Sequence, residues 1–196
     1  MRILIRILSV SFVFFSLFLT SCNDSEEIVC PVSEEMSSRT VYTYPHIDEI
    51  LQSNKVYKAV NDAWNEMLSY VTPHSRREIG FYIYYDFDDK DFWIGEWFYG
   101  PLVPYDSNQS ASVKFGEVIK PYNLCAFFHC HTPYYGPGER PTGPSDADIA
   151  CANKLGVPGI LFDYPSDYVY FDFPYDYGPM LYMFGPMQRG DLNLRF

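Results

Sequence analysis

The chain has 196 residues, 47% of them hydrophobic, and a formal net charge of -11 at pH 7. That length is enough for one domain with a sizeable hydrophobic core. A chain with this much negative charge should repel the phosphate backbone of nucleic acids. We therefore expect no nucleic-acid partner.

The first 21 residues have the features of a secretory signal peptide. Arg2 and Arg6 precede an apolar run from Ile7 to Leu19, and small residues follow it, as at a cleavage site. The apolar run is too short for a stable membrane span. Residues 1–21 hold two arginines and no acidic residue, so their removal would change the net charge from -11 to -13.

The end of this segment, Leu19-Thr20-Ser21-Cys22, resembles a bacterial lipobox. In such lipoproteins the cysteine is lipidated and becomes the mature N-terminus. The resemblance implies lipidation at Cys22, export to the bacterial cell envelope (periplasmic or surface-facing) and a membrane partner through the lipid. The alternative is a plain secretory signal in which Cys22 is incidental.

The polar composition of residues 22–45 predicts a tether, which leaves residues 46–196 as the folded domain. Apolar residues recur with helical spacing from Ile47 to Val71 and predict one amphipathic helix. Two aromatic-rich runs, Glu78–Phe87 and Phe92–Tyr99, flank an acidic turn and predict a β-hairpin.

The rest of the domain predicts further strands and one helix. A short buried strand is expected over Leu124–His131, and a helix over Ser145–Leu155 with Ser145 as its N-cap. Two more strands are expected over Pro158–Asp163 and Tyr168–Phe173, whereas the tail from Pro174 shows no clear pattern. The predicted fold is therefore α/β (α+β), with a single mixed β-sheet flanked by helices.

His129 and His131 share one face of the predicted strand, because side chains two positions apart in a strand point to the same side. Both imidazoles can therefore reach one cation. Ser145 and Asp148 stand at the start of the next helix, where Asp148 could add a carboxylate ligand. Three protein ligands with one open position are typical of a catalytic zinc site. Asp146 is the alternative carboxylate, but its side chain would point about 200° away from that of Asp148.

Four cysteines follow the predicted lipidation site, and an even number in an exported protein permits disulfides. Their pairing is left open by the sequence; they are Cys30, Cys125, Cys130 and Cys151. Cys130 lies between the two histidines and should point away from them, so we do not expect it to bind the metal.

The histidine pair His129-x-His131 and the motif Ser145-x-x-Asp148 are preceded in the chain by a glutamate. This residue, Glu78, opens a predicted strand and is followed by Gly80. Together these features resemble the JAMM (MPN-plus) metalloproteases, which cleave peptide and isopeptide bonds with a zinc-bound water. The resemblance covers about residues 76–163. It implies a JAMM/MPN-like (cytidine-deaminase-like) architecture.

The resemblance also implies a role for each matching residue. His129, His131 and Asp148 would bind Zn²⁺ and leave one position for water, whose pKa the ion lowers. Glu78 would take the proton of that water and pass it to the leaving amine. Ser145 would donate a hydrogen bond to the oxyanion of the tetrahedral intermediate.

Two features depart from the family pattern. Thr132 and then Pro133 follow the second histidine, where family members usually have proline directly, and the loop before the helix is about six residues longer. Loops tolerate such insertions, so the metal geometry can survive while substrate recognition is expected to differ. Glu96, on the neighbouring strand, is the alternative to Glu78; the glycine spacing favours Glu78.

The sequence therefore predicts an exported, lipid-anchored zinc hydrolase that acts on a peptide or protein substrate. The alternative hypothesis belongs to another class. It is a catalytically inactive JAMM-fold lipoprotein that serves as a binding or accessory protein and keeps a vestigial site.

Overall fold

The computed structural model describes residues 43–132, 141–164 and 179–190. The predicted signal peptide, Cys22 and nearly all of the predicted tether lie outside these ranges, as does the predicted strand Tyr168–Phe173. Within the described ranges, no helix combines the length and the apolar character needed to cross a membrane.

One mixed β-sheet organises the domain. Its strands are β1 (Ile79–Asp86), β2 (Asp91–Tyr99), β3 (Leu124–Cys130), β4 (Gly159–Asp163) and β5 (Met180–Phe184). They are ordered β2-β1-β3-β4-β5; β3 and β4 run parallel, and the other neighbours are antiparallel. The predicted α+β class and single mixed sheet are confirmed, as is the predicted hairpin of β1 and β2.

The described helices are α1 (Ile47–Gln52), α2 (Asn54–Tyr70) and α3 (Asp146–Leu155). The prediction of one continuous helix up to Val71 was wrong, because the chain is extended at Ser53, with φ -68° and ψ 123°. The Ser53 N–H donates to the Ile50 carbonyl, and the Tyr57 N–H donates to the Ser53 carbonyl. One residue thus ends α1 and begins α2, while the apolar spacing continues across the break.

Helices cover both faces of the sheet. On one face, α2 buries a stripe of apolar side chains against the three strands β1, β2 and β3; the stripe comprises Val56, Ala59, Val60, Ala63, Trp64 and Met67. On the other face, α3 packs Cys151, Ala152 and Leu155 into a second cluster that contains Phe127 and Leu161. Consequently β3 and β4 are buried on both sides, in keeping with their mostly apolar sequences.

β5 was missed by the sequence analysis, which found no pattern in the tail. Among the described strands it lies at the edge of the sheet beside β4, and its residues Met180, Leu181 and Met183 are each more than 40% exposed. A short apolar run without alternation carries no two-residue period, so nothing in the sequence distinguished it from the surrounding tail.

The described cysteines fall into two groups. Cys125 and Cys130 are free, buried thiols, and burial raises the pKa of each. The Cys130 Sγ contacts the carbonyls of Ala63 on α2 and Ile79 on β1, so this side chain faces away from the two histidines, as predicted. Cys151 is disulfide-bonded. Because Cys125 and Cys130 are free thiols, every disulfide pairing that involves either of them is excluded.

Replacing Met67 tests the packing of α2 on the sheet. Met67 is fully buried at 0% exposure, so Met67→Ala should lower the free energy of unfolding by about 2–5 kcal/mol through lost burial and a residual cavity. Denaturant unfolding followed by circular dichroism measures this. Tyr57→Ala is the control on the same helix, where the side chain is 64% exposed and the change should stay within about 0.5 kcal/mol. Equal losses in both variants would contradict the assigned packing.

Candidate metal centre

Strand β3 places the two histidine side chains next to each other. His129 is the second-last residue of β3, and His131 directly follows the strand. Their two Nε2 atoms are 3.4 Å apart. The two residues are only 3% and 8% exposed. The backbone of His131 is held in line with β3, because its N–H donates to the Phe162 carbonyl on β4 at 2.9 Å. The predicted convergence of the imidazoles is thus present.

Asp148 completes the cluster from the first turn of α3. Its Oδ1 lies 3.1 Å from the His129 Nε2, and its Oδ2 lies 3.5 Å from the His131 Nε2. The carboxylate is held by a capping box: the Ser145 N–H and hydroxyl each donate to Oδ2 at 2.7 Å, and the Asp148 N–H donates back to the Ser145 Oγ. The helix start therefore fixes the third group of the cluster.

The cluster is electrostatically suited to a cation. Burial works to raise the pKa of the Asp148 carboxyl, but His129 and His131 outweigh burial through charge and hydrogen bonding and hold that pKa well below its usual range. Ligand atoms of the three residues all lie within 4.8 Å of one another. The group can therefore hold a metal ion with two nitrogens and a carboxylate oxygen.

The two imidazoles are fixed in different ways. The His131 Nδ1 lies 3.0 Å from the Asp163 Oδ2. In the part of the chain that the structure describes, the His129 Nδ1 has no hydrogen-bond partner. Instead, the His129 ring lies parallel to Phe127 at 6.3 Å and edge-on to Phe184 at 6.2 Å. Away from Asp148, one histidine thus contacts a second carboxylate and the other packs against aromatic rings.

Glu78 reaches the same cleft as the cluster. A cavity of about 520 Å³ is lined by Glu78 together with both histidines and Asp148. Glu78 immediately precedes β1, where its N–H donates to the Ala111 carbonyl and its carbonyl accepts from the Gly100 N–H. The alternative carboxylate, Glu96, is exposed on β2 and does not line this cavity. The structure therefore brings Glu78, and not Glu96, to the candidate site.

The start of α3 contributes two further predicted residues. Ser145 and Asp146 both line the cavity and are exposed. Asp146 stands outside the three-residue cluster that the described residues form, whereas Asp148 belongs to it. The Ser145 hydroxyl caps the helix and donates to Asp148, so its predicted role toward an oxyanion stays a prediction.

Two features of the cleft were missed by the sequence analysis. Asp163, at the end of β4, is fully buried and contacts His131. A wall of the cleft comes from the irregular segment after β2, through Ser112, Val113 and Phe115. Asp163 is an acidic residue at the end of an apolar strand, which is a feature visible in the sequence. That feature predicts a contact with His131 only if β4 is known to lie beside β3.

No protein-family model, no curated protein and no solved structure matches this chain. A buried pair of imidazoles, a buried carboxylate and a second carboxylate in one cleft can bind a metal ion and transfer a proton beside it.

Gly80 makes room for the site and offers a test of its packing. A Cβ at this position would lie 2.7 Å from the Phe128 carbonyl oxygen, 2.9 Å from the Phe115 ring and 3.1 Å from the His129 Cβ. The Phe115 ring can rotate, but the backbone of β3 cannot give way without shifting His129. Gly80→Ala should therefore lower the free energy of unfolding by about 1–3 kcal/mol. Thermal unfolding measures the loss, and an unchanged melting temperature would refute the close approach of β1 and β3.

Proposed function

We propose that this chain is a zinc-dependent hydrolase of peptide or isopeptide bonds. The observation that carries the proposal is the convergence of His129, His131 and Asp148 in a cleft that also contains Glu78. The order hairpin, histidine strand, capped helix, parallel strand also agrees with the resemblance to JAMM metalloproteases. We therefore propose a JAMM-like architecture for the domain.

The spacing of the three groups supports zinc as the ion. Ligands about 2.0–2.1 Å from a tetrahedral zinc ion are separated from one another by about 3.3–3.4 Å. The two Nε2 atoms are 3.4 Å apart, and the two Asp148 oxygens each approach one of them, Oδ1 at 3.1 Å from the His129 Nε2 and Oδ2 at 3.5 Å from the His131 Nε2. Imidazole ligands favour zinc and other transition metals over calcium or magnesium, which prefer oxygen.

The chain's own groups can perform the proton transfers of amide hydrolysis. When bound, a zinc ion polarises a carbonyl and lowers the pKa of a water molecule toward neutrality. Glu78 lies in the same cleft and would accept a proton from water and donate it to the leaving amine. The α3 N-terminus also faces the cleft, and its positive dipole end favours the negative charge that develops on the carbonyl oxygen.

The wall of the cleft supports an extended peptide as the substrate. Burial alternates along Ala111–Phe115, where Ala111, Val113 and Phe115 are buried and the residues between them are not. In the described part of the chain, the backbone groups of Val113, Lys114 and Phe115 make no backbone hydrogen bonds. A segment with alternating burial, whose backbone forms no hydrogen bonds with the backbone of the other described residues, is suited to bind an extended chain by strand addition.

We also propose that the protein is exported and anchored by a lipid at Cys22. The support is the sequence of residues 1–22, together with the disulfide-bonded state of Cys151, because disulfides persist in oxidising compartments outside the cytoplasm. The substrate would then be a peptide or protein that is reached from the membrane surface.

Metal content is the first test of the proposal. The purified chain should contain about one zinc ion per molecule by elemental analysis, since three protein ligands are typical of a catalytic site. His129→Ala and His131→Ala should each reduce it to a small fraction, because two remaining ligands bind weakly. His74→Ala is the matched control, as His74 is exposed and outside the cluster, and should leave the zinc content unchanged. A folded wild-type protein without zinc after zinc dialysis would favour the inactive binding lipoprotein instead.

Glu78→Gln separates catalysis from metal binding. The variant should keep its zinc but lose peptidase activity by about 10²–10⁴-fold, because glutamine cannot accept the proton. Activity is measured with a library of quenched fluorescent peptides. Glu96→Gln is the control carboxylate on the neighbouring strand and should retain wild-type activity. The role of Glu78 fails if its variant cleaves the same peptides at the wild-type rate.

A further inference from the structure

Asp163 is a fully buried carboxylate at the carboxyl end of β4. Among the described residues, its Oδ2 lies 3.0 Å from the His131 Nδ1 and accepts from the Gly143 N–H at 2.9 Å, and its Oδ1 accepts from the Tyr164 N–H at 2.8 Å. The four residues before it, Gly159–Phe162, are buried and apolar apart from the glycine. A charge at such a position is costly unless it is well hydrogen-bonded, so packing alone does not account for it.

The contact with His131 determines which ring nitrogen is available. Because the carboxylate accepts a hydrogen bond, the Nδ1 of His131 carries the proton and the Nε2 carries the lone pair. That Nε2 is the atom that lies 3.4 Å from the His129 Nε2 and 3.5 Å from the Asp148 carboxylate. Asp163 thus selects the form of His131 that can bind a metal ion from within the cluster.

The contact with Gly143 links the same oxygen to the third ligand. Gly143 lies two residues before Ser145, the N-cap whose backbone and hydroxyl hold the Asp148 carboxylate. Gly143 has a positive φ of 92° and packs beside the Tyr182 ring, so the chain is tightly constrained at this point. One carboxylate oxygen therefore positions His131 on one side and the entry to α3 on the other.

We propose that Asp163 is the positioning residue of the metal site, which orients His131 and sets its distance from Asp148. This inference rests on the proposed zinc site. It assigns unequal roles to the two histidines: His131 depends on a charged hydrogen-bond partner, and His129 depends on the rings of Phe127 and Phe184.

The test compares the zinc affinity of the full chain and of Asp163→Asn by competition with a chromophoric chelator. Asparagine keeps the shape but has one acceptor oxygen in place of two, so it cannot satisfy Tyr164 on one side and both His131 and Gly143 on the other. The affinity should fall by about 10–100-fold, as for other partners of metal-binding histidines. The absorption spectrum of the cobalt-loaded variant should also change, because it reports ligand geometry directly.

Met67→Ala is the control for loss of stability, since Met67 is buried beneath the other face of the sheet. It should be destabilised and yet bind zinc with wild-type affinity and give the wild-type cobalt spectrum. Unchanged affinity and spectrum in Asp163→Asn would overturn the positioning role while leaving the zinc site intact. An equal loss of affinity in Met67→Ala would also overturn it, because instability alone would then explain the result.

A measurement on the unaltered protein keeps the inference testable if Asp163→Asn does not fold. Nitrogen-15 NMR of the zinc-loaded chain should show His131 protonated at Nδ1 and coordinated through Nε2. Coordination through the His131 Nδ1 would overturn the proposal. A wild-type chain that binds no zinc would overturn the proposed function itself, which distinguishes the two failures.

Discussion

Two imidazole rings and a carboxylate occupy one buried volume at the carboxyl end of β3, and the surrounding structure is arranged to keep them there. Each group alone would be costly to remove from water. Their contacts of 3.1–3.5 Å place the Nε2 atom of each ring beside the other Nε2 and beside a carboxylate oxygen of Asp148. A cation among them would stabilise all three groups at once. The strand, the helix cap and the end of β4 each hold one part of this arrangement.

Much of the fold was predictable because its patterns are local. The hairpin of β1 and β2, the buried strand β3, the capped helix α3 and the strand β4 each have a distinctive period or boundary residue. The break at Ser53 was not predictable, since the same apolar spacing runs through α1 and α2 and no glycine or proline marks the interruption. β5 was not predicted, because its short run of apolar residues shows no alternation of apolar and polar side chains.

The site likewise contains residues that local sequence patterns predict and residues whose placement depends on the order of the strands. His129 and His131 are two residues apart, and Ser145 and Asp148 are three apart, so each pair is readable from strand or helix geometry alone. The choice of Glu78 over Glu96 depends on sheet order, because β1 lies next to β3 whereas β2 lies one strand further away. The contact of Asp163 with His131 depends on the parallel pairing of β3 with β4, which joins residues 32 positions apart. No local pattern encodes such a contact.

The alternation along β3 has a consequence for how the sheet is assembled. Cys130 points into the apolar layer beneath α2, while the histidines on either side of it point into the cleft. A shift of β3 by one residue would exchange these environments, placing a thiol in the cleft and two imidazoles among apolar side chains. An ion that binds only the correct pairing would stabilise that pairing over its neighbours by mass action. Metal supply during folding would then influence how many chains reach the native strand register.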